Sequence, residues 1–396
     1  MAKIGILTFH WANHFGAILQ AWALNRLLGD MGCDAEIINF LPMLRLVNSR
    51  VIKPCELTRK CLIMNTPLIK GIFSVAGEAV NYVLNFKDEM LKNGSFKNFR
   101  KNFMKVHEKA INNIEELKQK CMEYDICLVG SDQVWNPKFL RYSHFAYLLP
   151  FKLDGTKKIA FSASIGVDAH SISPAMIKLY KTALSDFSFI SLRERTHLSV
   201  LSSIIGRKIY HTLDPTLLVD RGSLEAIIDQ DVSLPHDKYV LIYNIDFSML
   251  PLAKKIVETL ELPAIIYDKP PFLPITRKLT FSKNFKNALY FSSAGPREFL
   301  TLLRNAEFII TNSFHGTALS IVLKKQFIVI ISGSIIEVKS RILDLLDLFK
   351  LRNRVFSQEK NLQEIIHEPI NYNYVSELMN HARRNSLELL RIALKG

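Results

Sequence analysis

The chain is poor in cysteine, and what it has is scattered. Its five cysteines, at 33, 55, 61, 121 and 127, include no CxxC pair. That argues against a zinc ribbon or a disulfide framework and points to reduced thiols in a cytoplasmic protein. Long apolar runs are also missing. The nearest candidate for a membrane span, Leu62 to Phe86, is interrupted by Pro67, Lys70, Gly71, Gly77 and Glu78. The first residues, MAKIGILTFHW, contain neither a long apolar segment nor a small-residue cleavage site, so no secretory leader is expected. Only 16 glycines and 15 prolines occur in 396 residues, which excludes collagen-like and low-complexity sequence. Neither a GxGxxG turn nor a P-loop is present, so NAD and ATP are not supported. No carboxylate cluster has metal-ligand spacing, and neither a metal nor a cofactor is expected.

Acidic residues are the scarcer sign of charge. There are 37 Asp and Glu against 51 Lys and Arg, a formal net charge of +14. Such a surface attracts anions, whether nucleic acid, lipid headgroups or phosphorylated metabolites. Hydrophobic residues make up 48% of the chain, enough for a folded core and too many for a disordered one. At this length two to three domains are expected.

Patterning begins with the apolar run Lys3 to Phe9, a buried strand. A polar loop, His10 to Gly16, leads into helical spacing over Ala17 to Met31, and Ala35 to Phe40 reads as a second strand. Strand, helix, strand is a βαβ unit of a parallel sheet, and such sheets bind ligands beyond their carboxyl ends. Residues 41 to 120 differ. They are helical in pattern and carry 15 Lys and Arg against 7 Asp and Glu, with basic clusters at Arg45 to Lys60 and Lys97 to Lys109. This insertion is either a solvated helical face or a surface that meets anionic lipid headgroups or a lipid-diphosphate substrate. It contains aromatic residues but no nucleic-acid recognition motif, so nucleic acid is not an expected partner.

Strands then recur at Tyr124 to Gly130, Lys158 to Ser164, Phe189 to Leu192 and Lys208 to Leu213. The polar stretch 229 to 238 marks a boundary, giving a first domain of 1–235 and a second of 236–396. The second repeats the alternation: YVLIYN, a helix near 251 to 260, AIIYD, a helix over 297 to 305, EFIIT, a helix from Thr317 to Leu323, and the strand Phe327 to Ile331. A helix over 340 to 350 and a last one over 374 to 394 follow, the latter packing back on the first domain.

Four segments have residues suited to chemistry. In TNSFHGTALS, 311 to 320, a strand feeds a turn at Gly316 that opens a helix. Helix N-termini favour anions, and Ser313 and Thr317 add hydroxyls. His315 can donate to phosphate or move a proton, or it can simply pack. In GSDQVWN, 130 to 136, Asp132 is an acid/base, a group that orients a substrate hydroxyl, or a turn cap; Ser131 and Gln133 flank it as substrate-binding candidates. In SLRERT, Arg193 and Arg195 alternate, and Arg193, nearer the strand end, is the candidate for binding a carboxylate or phosphate. In HWANHFGA, Asn13 and Gly16 form a turn that admits a ligand oxygen. Asp214-Pro215-Thr216 reads as a structural turn, with Asp214 a weak site candidate.

The order of these motifs resembles the polysaccharide pyruvyl transferase family. It runs ILTFHWANHFGAILQAWAL, GSDQVWN, SLRERT, LDPTLL, GPREFL, ITNSFHGTALS and KSRILDLL, from about residue 3 to about 350. The resemblance implies an α/β fold of two Rossmann-like domains facing a cleft, as in glycosyltransferases of the B type, with the helical insertion in the first domain. It implies transfer of a pyruvyl group from phosphoenolpyruvate, a co-substrate, to sugar hydroxyls of a surface-polysaccharide precursor. His315 and Arg193 would hold or activate that donor, and His315 and Asp132 would be the acid/base pair. The helix near Gly316 would take an anionic group, and the Asn13 to Gly16 loop would lie on the opposing wall. Lys339 is a match for a further donor-contacting cation. A second donor arginine expected near YVLIYNID is not in the sequence. The acceptor would be a lipid-linked oligosaccharide or a nucleotide sugar, handled in the cytoplasm or at the inner face of the membrane. A nucleotide-sugar glycosyltransferase is the alternative with the same fold, and a non-catalytic scaffold is a third class.

Overall fold

A computed structural model describes the chain except residues 43–86, 140–141, 168–170, 230, 231, 233, 235, 268–284, 286–287, 332–335, 357–361 and 396. The Arg45 to Lys60 cluster, the Leu62 to Phe86 stretch and the boundary at Pro235 therefore lie outside the described residues.

All strand pairings among the named strands are parallel. The first sheet contains β1 (Lys3–Leu7), β2 (Asp34–Ile37), β3 (Ile126–Val129), β4 (Lys157–Ala163), β5 (Phe189–Leu192) and β6 (Tyr210–His211), in the order β2-β1-β3-β4-β5-β6. The second contains β7 (Val240–Tyr243), β8 (Ala264–Tyr267), β9 (Leu289–Tyr290), β10 (Phe308–Thr311) and β11 (Gln326–Val329), in the order β11-β10-β7-β8-β9. Strands β3, β5, β7, β8 and β10 are buried along their whole length. That is why they read as continuous apolar runs: helices cover both faces of a parallel sheet. Strand β9 has two residues, too few to leave a pattern.

Strand order reverses between β1 and β3 in the first sheet and between β7 and β10 in the second. At such points adjacent connections leave in opposite directions and open a crevice at the carboxyl edge. The loops after β1, β3 and β10 are the ones that contain HWANHFG, SDQ and NSFHG.

An aromatic cluster joins the halves. Phe15, at the start of the helix Phe15–Asp30, stacks on Phe299 of the helix Pro296–Asn305 at 4.0 Å. It also meets Tyr267 at 4.8 Å and Phe96 at 5.4 Å. Phe96 belongs to a helix over 87–103, within the described part of the basic insertion. The same helix reaches the second half through Ser95, whose Oγ donates to Glu298 at 3.3 Å. The last helix, Tyr372–Lys395, lies against the first sheet's side. Ser386 Oγ accepts the Leu213 N–H at 3.0 Å, and Arg383 donates to the Leu217 and Val219 carbonyls at 2.6 and 2.7 Å.

Candidate active site between the two sheets

Two helix N-termini face each other where the halves meet. The Phe15–Asp30 helix follows β1, and the helix Phe314–Val322 follows β10. Gly16 on the first touches His315 on the second. A Cβ placed on Gly16 would lie 2.6 Å from His315 Cγ and closer still to Nδ1, so only glycine leaves room for the ring. One face of the imidazole is thereby set against backbone. Its other nitrogen, Nε2, is 3.6 Å from Asp214 Oδ2.

Asp214 is the hub of the site. It caps the short helix Pro215–Leu218, its Oδ1 accepting the Thr216 N–H at 3.0 Å and the Thr216 hydroxyl at 2.7 Å. Its Oδ2 accepts Ser131 Oγ at 2.7 Å and Arg193 Nη1 at 2.8 Å. Burial opposes the charge on this carboxylate, but His315, Arg193 and Thr216 outweigh it and hold Asp214 well below the ordinary carboxylate range. The loops after β3, β5, β6 and β10 thus converge on one buried oxygen pair.

Arg193 ends β5 and is buried, whereas Arg195 is exposed. Burial disfavours its charge, yet Asp214, Glu194 and Asp132 more than offset that and raise Arg193 above the ordinary guanidinium value. Nε lies 3.3 Å from Glu194 Oε1, and Nη2 lies 3.6 Å from Asp132 Oδ1. The guanidinium also sits 4.5 Å over the Phe314 ring, a cation–π contact across the seam. Glu194 is fully buried and accepts the Ser164 hydroxyl as well. Two buried donor atoms, Arg193 Nη2 and His315 Nε2, make no hydrogen bond. Each lies 3.6 Å from a carboxylate oxygen, of Asp132 and Asp214 respectively, and a ligand oxygen between them would complete the hydrogen bonding that a buried donor needs.

Asp132 has φ of 77°, in the left-handed region that a short polar side chain tolerates. Its carbonyl accepts the Ser164 N–H at 3.0 Å and its Oδ1 accepts the Gln133 N–H at 2.8 Å. This fixed turn aims the carboxylate at Arg193.

The polysaccharide pyruvyl transferase family matches the chain over residues 14–334. The chain belongs to that family. Its fold is the two-domain glycosyltransferase B type, which it shares with sugar-nucleotide enzymes of low sequence identity. UDP-N-acetylglucosamine 2-epimerase from Rickettsia bellii is 13% identical with a TM-score of 0.56, covering 100% of this chain and 96% of that one. The Neisseria meningitidis UDP-GlcNAc 2-epimerase bound to UDP-GlcNAc is 13% identical with a TM-score of 0.50, covering 98% and 99%. A UDP co-structure of MnaA from S. aureus is 12% identical with a TM-score of 0.50, covering 96% and 91%. At such identity the likeness is one of fold alone. No curated protein matches the chain. A polysaccharide-modifying transferase is thus the class in which the site has to be read.

Several residues of the sequence motifs are placed differently from the expectation. The second-domain helix begins at Phe314, not Thr317, so Gly316 lies inside its first turn. Gly316 is required there because a Cβ would meet Thr311 Oγ1 at 2.7 Å and the Tyr243 ring at 2.8 Å. Its N–H is already capped by Ser313 Oγ at 3.2 Å, and the Thr317 hydroxyl donates to the Ser313 carbonyl at 2.9 Å. Ser313, Gly316 and Thr317 therefore spend the groups expected to hold an anion on the helix itself. Gln133 Oε1 accepts Asn136 Nδ2 at 2.7 Å and supports its own turn. Ser131 reaches the site through Asp214. Asn13 accepts Arg100 Nη2 at 2.6 Å and pairs with Asn93. Lys339 lies on the helix Ile336–Leu348, with its side chain outside the described residues.

Three contributors have a larger place in the site than the sequence reading assigned them. Asp214, a weak candidate there, is the hub as well as a turn residue. Glu194, not among the candidates, is buried against Arg193. Arg100 counted only as part of a basic surface, yet it faces the loop after β1. An LDP turn just after the short strand β6 is the one local signal for Asp214.

Among the described residues no group of three or more His, Cys, Asp or Glu is placed to hold a metal, and no helix is long and apolar enough to cross a membrane.

Proposed function

We propose that the site transfers the pyruvyl group of phosphoenolpyruvate to two hydroxyls of a sugar, giving a carboxylated ketal and inorganic phosphate. The observation that carries this is the pair of buried, unbonded donors, Arg193 Nη2 and His315 Nε2, held by one carboxylate where the two sheets meet. Phosphoenolpyruvate has a carboxylate and a phosphate, and a guanidinium beside an imidazole suits that pair.

His315 protonates the methylene carbon, and positive charge develops on the carbon bearing the phosphate. A sugar hydroxyl adds there, and Asp132 takes its proton. The bond to the phosphate oxygen then breaks, and the second hydroxyl closes the ketal. Of the two hydroxyl protons, one ends in the new methyl group and the other on phosphate. Asp214 is a poor base here: its oxygens are already bonded to Thr216, Ser131 and Arg193, and it is held ionised. It positions His315 and Arg193 instead. Asp132, less enclosed, keeps a lone pair for the task. The donor brings its own leaving group, so the chemistry calls for no cofactor. The acceptor is a lipid-linked or nucleotide-linked sugar, met at the inner face of the membrane if the basic stretch 45–60 binds lipid headgroups.

Purified protein with phosphoenolpyruvate and a galactosyl or mannosyl acceptor is expected to release phosphate and yield a carboxyethylidene sugar by mass spectrometry. Phosphoenolpyruvate is expected to raise the thermal midpoint, as a ligand of the native state alone does. Turnover of a UDP-sugar, with none from phosphoenolpyruvate, would overturn the reading.

A further inference from the structure

We propose that Asn244 and Asn312 form a hydroxyl-binding pair at the carboxyl edge of the second sheet, a subsite for the sugar that receives the pyruvyl group. Calling that sugar the acceptor rests on the pyruvyl-transfer reading; recognition of a sugar hydroxyl by the pair does not.

Strands β7 and β10 lie side by side where the order of the second sheet reverses, and Tyr243 pairs with Thr311 at the end of their ladder. Asn244 and Asn312 are the next residues along the two strands. Their side chains meet there: Asn244 Nδ2 donates to Asn312 Oδ1 at 2.7 Å. A switch point of this kind is where an open α/β sheet takes its ligand. The reacting groups are close by. Tyr243 lies against Gly316, where a Cβ would meet its ring at 2.8 Å. Asn312 is three residues from His315, at most about 11 Å even along an extended chain. A sugar held by the pair is therefore within reach of the imidazole.

Asn244 has φ of 54°, in the left-handed region. Its N–H donates to the Tyr267 carbonyl at 3.2 Å, which fixes the backbone in that form. Glycine would make this turn at no steric cost, so the turn alone does not account for an amide here.

The bond between the two amides uses one N–H and one carbonyl oxygen. It leaves over the carbonyl oxygen of Asn244, Oδ1, and the amide nitrogen of Asn312, Nδ2. Neither atom has a hydrogen-bond partner among the described residues, and neither is sealed in the interior; both residues are partly exposed. Turning both amides over exchanges the two residues' parts but leaves the same set, one acceptor and one N–H donor group. An acceptor beside a donor suits a hydroxyl, which both gives and takes a hydrogen bond. It does not suit a phosphate or a carboxylate, which would meet the amide oxygen with another acceptor. The cationic groups, Arg193 and His315, serve the anionic donor, and this neutral pair serves the sugar.

NMR of the side-chain amides in the isotope-labelled full chain, without phosphoenolpyruvate, tests the pair. Asn244→Gly and Asn312→Ala assign the two sets of signals. Glycine suits the backbone at 244 and residue 312 is partly exposed, so both variants are expected to fold; circular dichroism checks this. The probes are methyl β-galactopyranoside and methyl α-mannopyranoside at up to about 50 mM. At least one is expected to shift both sets of signals. Asn312→Asp keeps the shape and still accepts from Asn244 but has no amide N–H. It is expected to weaken that glycoside about tenfold, as Asn312→Ala does. In the transfer assay the same variants are expected to raise KM for the galactosyl or mannosyl acceptor about tenfold, with stabilisation by phosphoenolpyruvate unchanged. The proposal fails if neither glycoside moves the signals, or if the aspartate variant binds them as the native chain does, the result of a purely structural bond. It also fails if inorganic phosphate moves the signals and the sugars do not. The NMR arms need no donor, so their failure leaves the pyruvyl-transfer reading standing. Glycoside binding without stabilisation by phosphoenolpyruvate sinks that reading and leaves the pair.

Discussion

Gly16 and His315 contact each other across the seam between the two sheets, backbone against imidazole, with no space for a Cβ between them. The contact ties the loop after β1 to the imidazole that follows β10. It sets which imidazole nitrogen faces the backbone and which faces Asp214.

Gly16→Ala follows directly. Backbone lies on one side and the ring on the other, so the ring has to yield. Overpacking of this kind costs about 1–3 kcal/mol. Turnover is expected to fall at least about a hundredfold, the usual weight of a positioned acid/base group. Thermal unfolding gives the first quantity and phosphate release the second. Near-normal turnover would show that His315 does not act from this position.

Asp214→Asn probes the hub. The variant keeps the shape and the bonds to Thr216 but leaves Arg193 buried with less compensating charge. Breaking a buried pair costs about 3–5 kcal/mol. The pH dependence has a definite sign. Asp214 is depressed in the folded state from its ordinary 3.8. Its contribution is therefore fully present above about pH 4 and is lost as pH falls through the folded value. Urea unfolding of the native chain is expected to weaken below about pH 4. In the variant that part of the acid loss should be gone. Parallel profiles for the two proteins would contradict the assignment.

Most of the architecture was legible in the sequence, for a physical reason. Strands of a parallel sheet are covered on both faces, so Ile126 to Val129 and Phe308 to Ile310 stand out as unbroken apolar runs. Gly16 and His315 were legible as motif members, but not as neighbours. Asp214 shows where local reading stops. Ser131 lies 83 residues from it and Arg193 lies 21, and the turn it caps accounts for its presence without them. The basic insertion misled in a different way. Counting charge treats every cation as surface, whereas Arg100 turns inward to carbonyls that no sequence pattern announces.

His211 gives a test at milder pH. Burial, reinforced by Arg195, lowers it from 6.5 to about 4. The unfolded chain takes up a proton near pH 6.5 and the folded chain does not until about 4, so acid favours unfolding in that window. The contribution is full above about pH 6.5 and falls by up to about 3 kcal/mol by pH 4. His211→Leu is expected to flatten stability over this range, measured by urea midpoints at several pH values. The residue lines a small pocket with Arg193, Asp214, Phe314 and Asp344, so the variant should also disturb the site. An unaltered slope would mean that other groups cause the acid loss.

The aromatic seam makes the last prediction. Phe15 comes from the first half, Phe96 from the insertion helix, and Phe299, Tyr243 and Tyr267 from the second half. Phe15→Ala removes the ring that all four others meet, at about 3–5 kcal/mol for a buried phenylalanine. The loss falls on the coupling between the halves, since each sheet keeps its own buried strands. All three tryptophans, at 11, 22 and 135, lie in the first half. Tryptophan fluorescence therefore follows that half, while far-ultraviolet circular dichroism follows both. The two denaturation curves are expected to coincide for the native chain and to separate for Phe15→Ala, the signature of lost two-state behaviour. Curves that shift together to lower denaturant would show that the halves stay coupled without this ring, through Asp344, which accepts the Arg195 N–H at 2.9 Å, and through the contacts of the last helix.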